Sequence, residues 1–282
     1  MIRFITDSTC EAPDELLSHP AVTVVPLYVL FGQESLRDNV DISREEFWRR
    51  LPSANPLPTT SQAPPSAFLA PFQQYTDAGD EVIALVISGK LSRTYDSAIS
   101  AQAELPDQPI DVVDSLTTSV GLGLLLQDGL RMAEAGKTRA EIVATLNARR
   151  ADVHVMFAVE TLEYLARGGR IGKAQAFLGT TLHLKPLLAI VNGEVAPVSR
   201  ARGKRKALQD MIDHLAHQVT NRGPKVNLAV MDACAPEEAA EVAKALSARF
   251  ESPNIWQARM GPVLGTHVGP GTIGAAAYVS DW

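Results

Sequence analysis

The chain has 282 residues, with 26 Lys and Arg against 32 Asp and Glu, a formal net charge of −6. That length suits one large domain or two medium ones, and the acidic balance argues against a protein that coats nucleic acid. Hydrophobic residues at 46% and charged residues at 21% exclude wholesale disorder, no run reaches the ~18–20 apolar residues of a membrane span, and two cysteines, Cys10 and Cys234, cannot form a disulfide framework.

Residues 2–6 read as an apolar strand and not as a signal peptide, so the expectation is a reduced, cytoplasmic, soluble protein without stable membrane insertion. Pro13 opens a short helix to residue 17, where its missing N–H costs nothing. A β-branched and aromatic strand follows over 22–31, and Ser43-Arg44-Glu45-Glu46 reads as a capping box. Five prolines between 52 and 65 predict a long stiffened loop. Helices are expected over 66–76, 94–105, 120–135 and 138–150, and strands over 81–88 and 110–114. Apolar strands alternating with helices predict an α/β domain with a mostly parallel sheet covered by helices on both faces.

From residue 153 the pattern changes. Strands are expected over 153–159, 187–191 and 195–198, the last two joined by Asn192-Gly193, whose residues both tolerate positive φ. A helical turn at 162–166 is closed by Gly168-Gly169. Helices over 204–221 and 236–250 alternate with strands over 226–231, 255–259 and 275–279, and 261–271 reads as a glycine loop. The expected organisation is an N-terminal α/β domain, 1–152, and a C-terminal α+β domain, 153–282, with a ligand between them.

Parallel sheets hold ligands at the carboxyl ends of their strands, and those stretches are rich in hydroxyls here. Asp7-Ser8-Thr9 reads as a turn or a ligand contact, with the turn favoured locally, and Cys10 beside it as a small buried filler. Pro58-Thr59-Thr60-Ser61-Gln62 puts hydroxyls in a long loop of the kind that often carries function. Ser88-Gly89-Lys90-Leu91-Ser92-Arg93-Thr94 fits an anion site at a helix start, or a simple cap on that helix; the P-loop and nucleophile-elbow spacings are absent. Within Gly265-Thr266-His267-Val268-Gly269-Pro270-Gly271, His267 stands apart from His19, His154, His214 and His217, which read as surface or core-edge residues. His214 and His217 share a helix face but have no third ligand, so no metal is expected. Arg167, Arg170, Lys173, Arg200, Arg202, Lys204, Arg205 and Lys206 concentrate positive charge, either as a solvated face or as a surface for an acidic partner or a phosphate.

Thr6-Asp7-Ser8-Thr9, Thr60-Ser61-Gln62, Ser88-Gly89-Lys90-Leu91-Ser92 before Thr94-Tyr95, Val113-Asp114-Ser115, Glu160-Thr161-Leu162-Glu163-Tyr164-Leu165 running into Gly168-Gly169-Arg170-Ile171, and the stretch from Gly265 to Gly271 together resemble the DegV family, in order and over nearly the whole chain. The resemblance implies a two-domain α/β protein holding one long-chain fatty acid in an apolar tunnel, without a cofactor and without catalysis of its own. In the family's acyl-binding subunits of bacterial fatty acid kinase, a separate kinase protein phosphorylates the held carboxylate, which would tie this chain to phospholipid metabolism. Carried over by motif, Thr60, Ser61, Ser92, Thr266 and His267 would bind the carboxylate, Arg170 would lie at its polar end, and Lys173 and Arg202 would join Arg170 in a basic patch for the kinase. Phe177, Leu178, Leu182 and Leu184 are expected to shape the tunnel. Two positions depart from the family pattern: Arg93 stands where glycine is usual, which would strain a positive-φ site, and Glu11 where aspartate is common. The alternative is an enzyme, a serine hydrolase or a phosphotransferase-like protein, using Asp7, Ser92 and His267.

Overall fold

The computed structural model describes residues 1–178 and 184–280, so Leu182 lies outside the described residues. In chain order the first part forms β1 (Ile2–Asp7), α1 (Asp14–Leu17), β2 (Val22–Val25), β3 (Tyr28–Phe31), β4 (Glu34–Arg37), α2 (Arg44–Arg50), β5 (Thr59–Ser61), α3 (Pro65–Asp77), β6 (Glu81–Val86), α4 (Thr94–Ala103), β7 (Ile110–Asp114), α5 (Ser119–Glu134) and α6 (Arg139–Arg149). The second part adds β8 (His154–Ala158), α7 (Glu163–Arg167), β9 (Leu184–Val191), β10 (Glu194–Arg202), α8 (Lys204–Gln218), β11 (Val226–Asp232), α9 (Pro236–Phe250), β12 (Ile255–Arg259), α10 (Pro262–Val268) and β13 (Ile273–Val279).

Strands β2-β1-β6-β7 make an all-parallel sheet. Its period-2 side chains sort into two cores. Val82, Ala84 and Val86 pack with Phe68, Phe72, Ala98 and Ala101 of α3 and α4. Ile83 and Leu85 face the other way, toward Leu122, Leu126 and Leu130 of α5 and Ile142 and Leu146 of α6. The expected parallel sheet with helices on both faces is therefore present. Strands β10-β9-β8-β13-β11-β12 form a mixed sheet, largely antiparallel, with α8 and α9 on its outer face. On its inner face Val155, Phe157, Met231 and Tyr278 share the core of α5.

Helix α5 is thus clamped between two sheets. Glycines make the fit possible: a β-carbon on Gly121 would lie 2.5 Å from Val155 Cγ2, and one on Gly129 2.8 Å from Phe4 Cε1. Each glycine costs about 1 kcal/mol of helix propensity against alanine, which the burial of nearly every α5 side chain offsets.

Three local expectations change. The strand expected over 22–31 is two, because Pro26 removes a ladder donor; β3 leaves the parallel sheet and pairs antiparallel with β4 and β5. The proline loop is not wholly irregular, since residues 59–61 lie between its prolines and pair with β3 as β5. The glycine stretch expected as a loop holds α10, which starts on Pro262 and stops at Gly269, φ 73°. Ser43 caps α2 by accepting from the Glu46 amide, while the complete capping box is formed by Thr138 and Glu141 at α6.

Gly121→Ala should therefore lower stability by about 1–3 kcal/mol, through overpacking, although alanine is the better helix former. Urea denaturation checks it; an unchanged or raised midpoint would show that the two sheets have room around α5.

Candidate functional site

Residues just past the carboxyl ends of β6 (Ile87, Leu91, Ser92) and β7 (Thr118, Ser119) form one wall of a cavity. The opposite wall is the inner face of the mixed sheet: Val155 and Phe157 of β8, Ile190 of β9, Val195 of β10 and Met231 of β11. Val155, Ile190 and Val195 are register partners across three strands, so they present a continuous branched surface. Helix α10 closes the space with Val263, Leu264 and Val268. The empty space among these walls, counted together with the solvent at its mouth, is about 770 Å³.

Polar side chains gather at one part of this lining. Strand β5 supplies Thr60 and Ser61, with Gln62 just after it, the loop after β6 supplies Ser92, and Arg170 and His267 stand with them. Thr60 Oγ1 and His267 Nε2 are 2.8 Å apart. Burial, helped by the Arg170 charge, holds the His267 imidazole down at about 4, so it is neutral near pH 7. Its Nδ1 is buried and has no hydrogen-bond partner among the described residues. It packs so closely on Gly168 that a β-carbon there would collide with Nδ1. Arg170 donates to Leu91 O at 3.1 Å and to Gly168 O at 2.8 Å, tying its loop to the loop that carries Ser92. The arrangement offers hydroxyls, a neutral imidazole and one guanidinium to an anionic or strongly polar group, next to a long apolar wall.

Of the residues singled out in the sequence, Thr60, Ser61, Ser92, Arg170 and His267 converge on this cavity. Thr266 is not in the lining of this cavity: its hydroxyl donates to Pro262 O at 2.9 Å, and the residue borders an adjoining cleft that shares Thr60, Arg170 and His267 with the cavity. Lys173 and Arg202 do not form one patch with Arg170. Lys173 Nζ lies 3.9 Å from Glu194 at the start of β10, while Arg202 ends that strand eight residues later, roughly 26 Å away at ~3.3 Å per residue. The tunnel side chains also differ from expectation. Leu178 is exposed and Phe177 stacks under Arg200, 4.7 Å from its ring centre. Neither of them, nor Leu184, lines the cavity.

Arg93 has φ −73°, so no strain attends it; its guanidinium faces Asp96 at 3.4 Å. Ser92 both lines the cavity and accepts from the Thr94 amide at 3.3 Å, so the cap and the site coexist. The alternative triad is not assembled. Asp7 accepts from the Thr9 amide and hydroxyl and the Ile87 amide, Ser92 shares a hydrogen bond with Thr94, and His267 meets Thr60. Cys10 is buried, with its thiol pushed upward chiefly by burial, as a filler would be. Among the described residues no cluster of His, Cys, Asp or Glu suits a metal, and no helix is long and apolar enough to cross a membrane.

Sequence reasoning missed the apolar lining from β8, β9 and β11, and Thr118 at the head of α5. The inward alternation of Val155 and Phe157 was a usable signal, but it needed to be known which face of the sheet met α5.

The lowered His267 value has a definite sign. The unfolded imidazole, near 6.5, binds protons that the folded one refuses, so His267 contributes stability above pH 6.5 that is lost as pH falls toward 4. The full effect is about 3 kcal/mol. An NMR titration should show the His267 ring neutral at pH 5.5; a midpoint at 6 or above would mean that the ring is hydrated. Gly168→Ala should displace the ring and raise that midpoint.

The family description "Uncharacterised protein, DegV family" matches residues 1–280. A Thermotoga maritima protein named "Fatty acid-binding protein" is 33% identical to this chain, over 99% of this chain and 98% of its own. A solved structure of a fatty-acid-binding DegV family protein from Thermus thermophilus superposes with a TM-score of 0.92 at 35% identity, covering 99% of both chains. A stearic acid-binding protein from Eubacterium ventriosum gives a TM-score of 0.89 at 29% identity, covering 99% of this chain and 98% of its own. With the family match running nearly end to end and the same two-part architecture in these structures, the chain belongs to the DegV family.

Proposed function

We propose that this protein binds one long-chain fatty acid, the acyl tail lying along the Val155, Ile190 and Val195 wall and the carboxylate at Thr60, Ser61, Ser92 and His267. The observation that carries this reading is the cavity itself, apolar over most of its lining and polar where β5, the Ser92 loop and His267 meet. A buried carboxylate without donors is costly. Hydroxyls from two segments can donate to it, and a neutral imidazole with Nε2–H can join them. Arg170 supplies positive charge at the same end. The tail contributes most of the affinity, at about 0.8 kcal/mol for each methylene buried. The names of the relatives support the ligand class.

The fuller reading is that the protein presents this carboxylate to a separate fatty acid kinase for acyl-phosphate formation, in the cytoplasm, without catalysis of its own. An outer cleft lined by Lys90, Arg93, Arg170 and Glu194 adjoins the Ser92 loop. It offers a phosphate donor the approach that Lys173 and Arg202, at opposite ends of β10, do not share.

Comparing a fatty acid with the alcohol of equal chain length isolates the head group. Ser92→Ala and His267→Ala should each weaken palmitate binding by about 1–3 kcal/mol, the cost of a missing partner, and leave hexadecanol binding nearly unchanged. Equal losses for both ligands would remove these residues from carboxylate recognition. Failure of wild type to bind palmitate would overturn the proposal.

A further inference from the structure

A second polar cluster lies at the amino end of α10, against Ser119 and Val263 of the cavity lining. Glu11 accepts from the Gly261 amide at 2.7 Å and from the Ser119 hydroxyl at 2.7 Å. Asp38 accepts from the Ser8 hydroxyl at 3.0 Å and from the Val263 amide at 3.4 Å. Gly261 and Val263 belong to the first turn of α10, whose amides have no helical carbonyl to meet. The N-cap residue, Gly261, has no side chain to supply one. Carboxyls 250 and 225 residues away in the chain therefore seat the start of the helix, and its last turn carries His267.

We infer that Glu11 and Asp38 are positioning residues for the ligand cavity: they seat α10, and the hold on the ligand loosens when they ionise. This rests on the fatty-acid reading for the identity of the ligand. Both side chains are buried. The groups facing them are Arg44 at the start of α2, Asp7 at the end of β1, and the Cys10 thiol, together with each other. Arg44 Nε and Asp38 Oδ1 are buried without partners among the described residues, so the ionised cluster is under-compensated. Burial, foremost, pushes both carboxyls up to about 7, against the pull of their hydrogen bonds and Arg44. A state with α10 lifted would hydrate the two carboxyls and return them toward ordinary values. The seated state thus binds protons more tightly, and rising pH favours lifting. His267, neutral down to about 4, does not change charge in this range.

Trp48 reports on the seat directly, since its Nε1–H donates to Met260 O at 3.1 Å, one residue before Gly261. With Trp256→Phe and Trp282→Phe removing the other indoles, Trp48 emission should shift with a midpoint near pH 7. Release of cis-parinaric acid should speed up by roughly tenfold between pH 6 and 8.5. The double variant Glu11→Gln, Asp38→Asn keeps acceptors for Gly261 and Val263 and cannot ionise at either position, so it should hold both readouts near their pH 6 values. Glu11→Ala loses the acceptor and should release the probe quickly at every pH. A flat wild-type profile, or a double-variant profile like wild type, would overturn the inference. If the probe does not bind at all, the fatty-acid reading fails, and the Trp48 titration alone decides whether Glu11 seats α10.

Discussion

Helix α5 packs on β1 and β6 from one side and on β8, β11 and β13 from the other. Gly121 and Gly129 bring it within a bare van der Waals distance of each. Because the two sheets touch the same helix, their separation is fixed by the helix's thickness. The cavity is the space left at the amino end of α5, where Thr118 and Ser119 face Val155 and Met231 across the gap. A bulkier α5 would move one sheet against the other and change the width of that space. The dense interior around α5 is therefore what makes the cavity a defined shape.

The polar end of the cavity follows a different logic. Its donors come from segments far apart in sequence, joined by short contacts: Thr60 to His267, and Arg170 to the backbone of Leu91 and Gly168. Burial keeps His267 neutral, so it adds polarity without adding a buried charge. Arg170, largely exposed, is the charge at this end and remains hydrated. The division keeps the desolvation cost low when no ligand is held and gives an anion one cation and several neutral donors when it is.

Much of this was legible in the residues. The hydroxyl-rich strand ends, the unusual setting of His267 and the parallel sheet follow from local pattern, and Thr60, Ser61, Ser92, Arg170 and His267 do meet. What the pattern could not supply was direction. Thr266 and His267 are adjacent, but α10 turns one toward Pro262 and the other into the cavity, a choice invisible while that stretch reads as a loop. Lys173 and Arg202 look like neighbours of Arg170 in composition, and the length of β10 separates them. Glu11 read as a mild departure, because nothing local reveals that Gly261, 250 residues away, sits against it.

The central claim is that the space between the two sheets holds a fatty acid. Native mass spectrometry of the protein purified without added lipid tests it most directly. The account predicts one adduct per chain with the mass of a saturated or monounsaturated long-chain fatty acid, lost on denaturation and identified in the organic extract. An adduct of another class, such as a nucleotide or a sugar, or a bare chain that stays bare after incubation with palmitate, would contradict it.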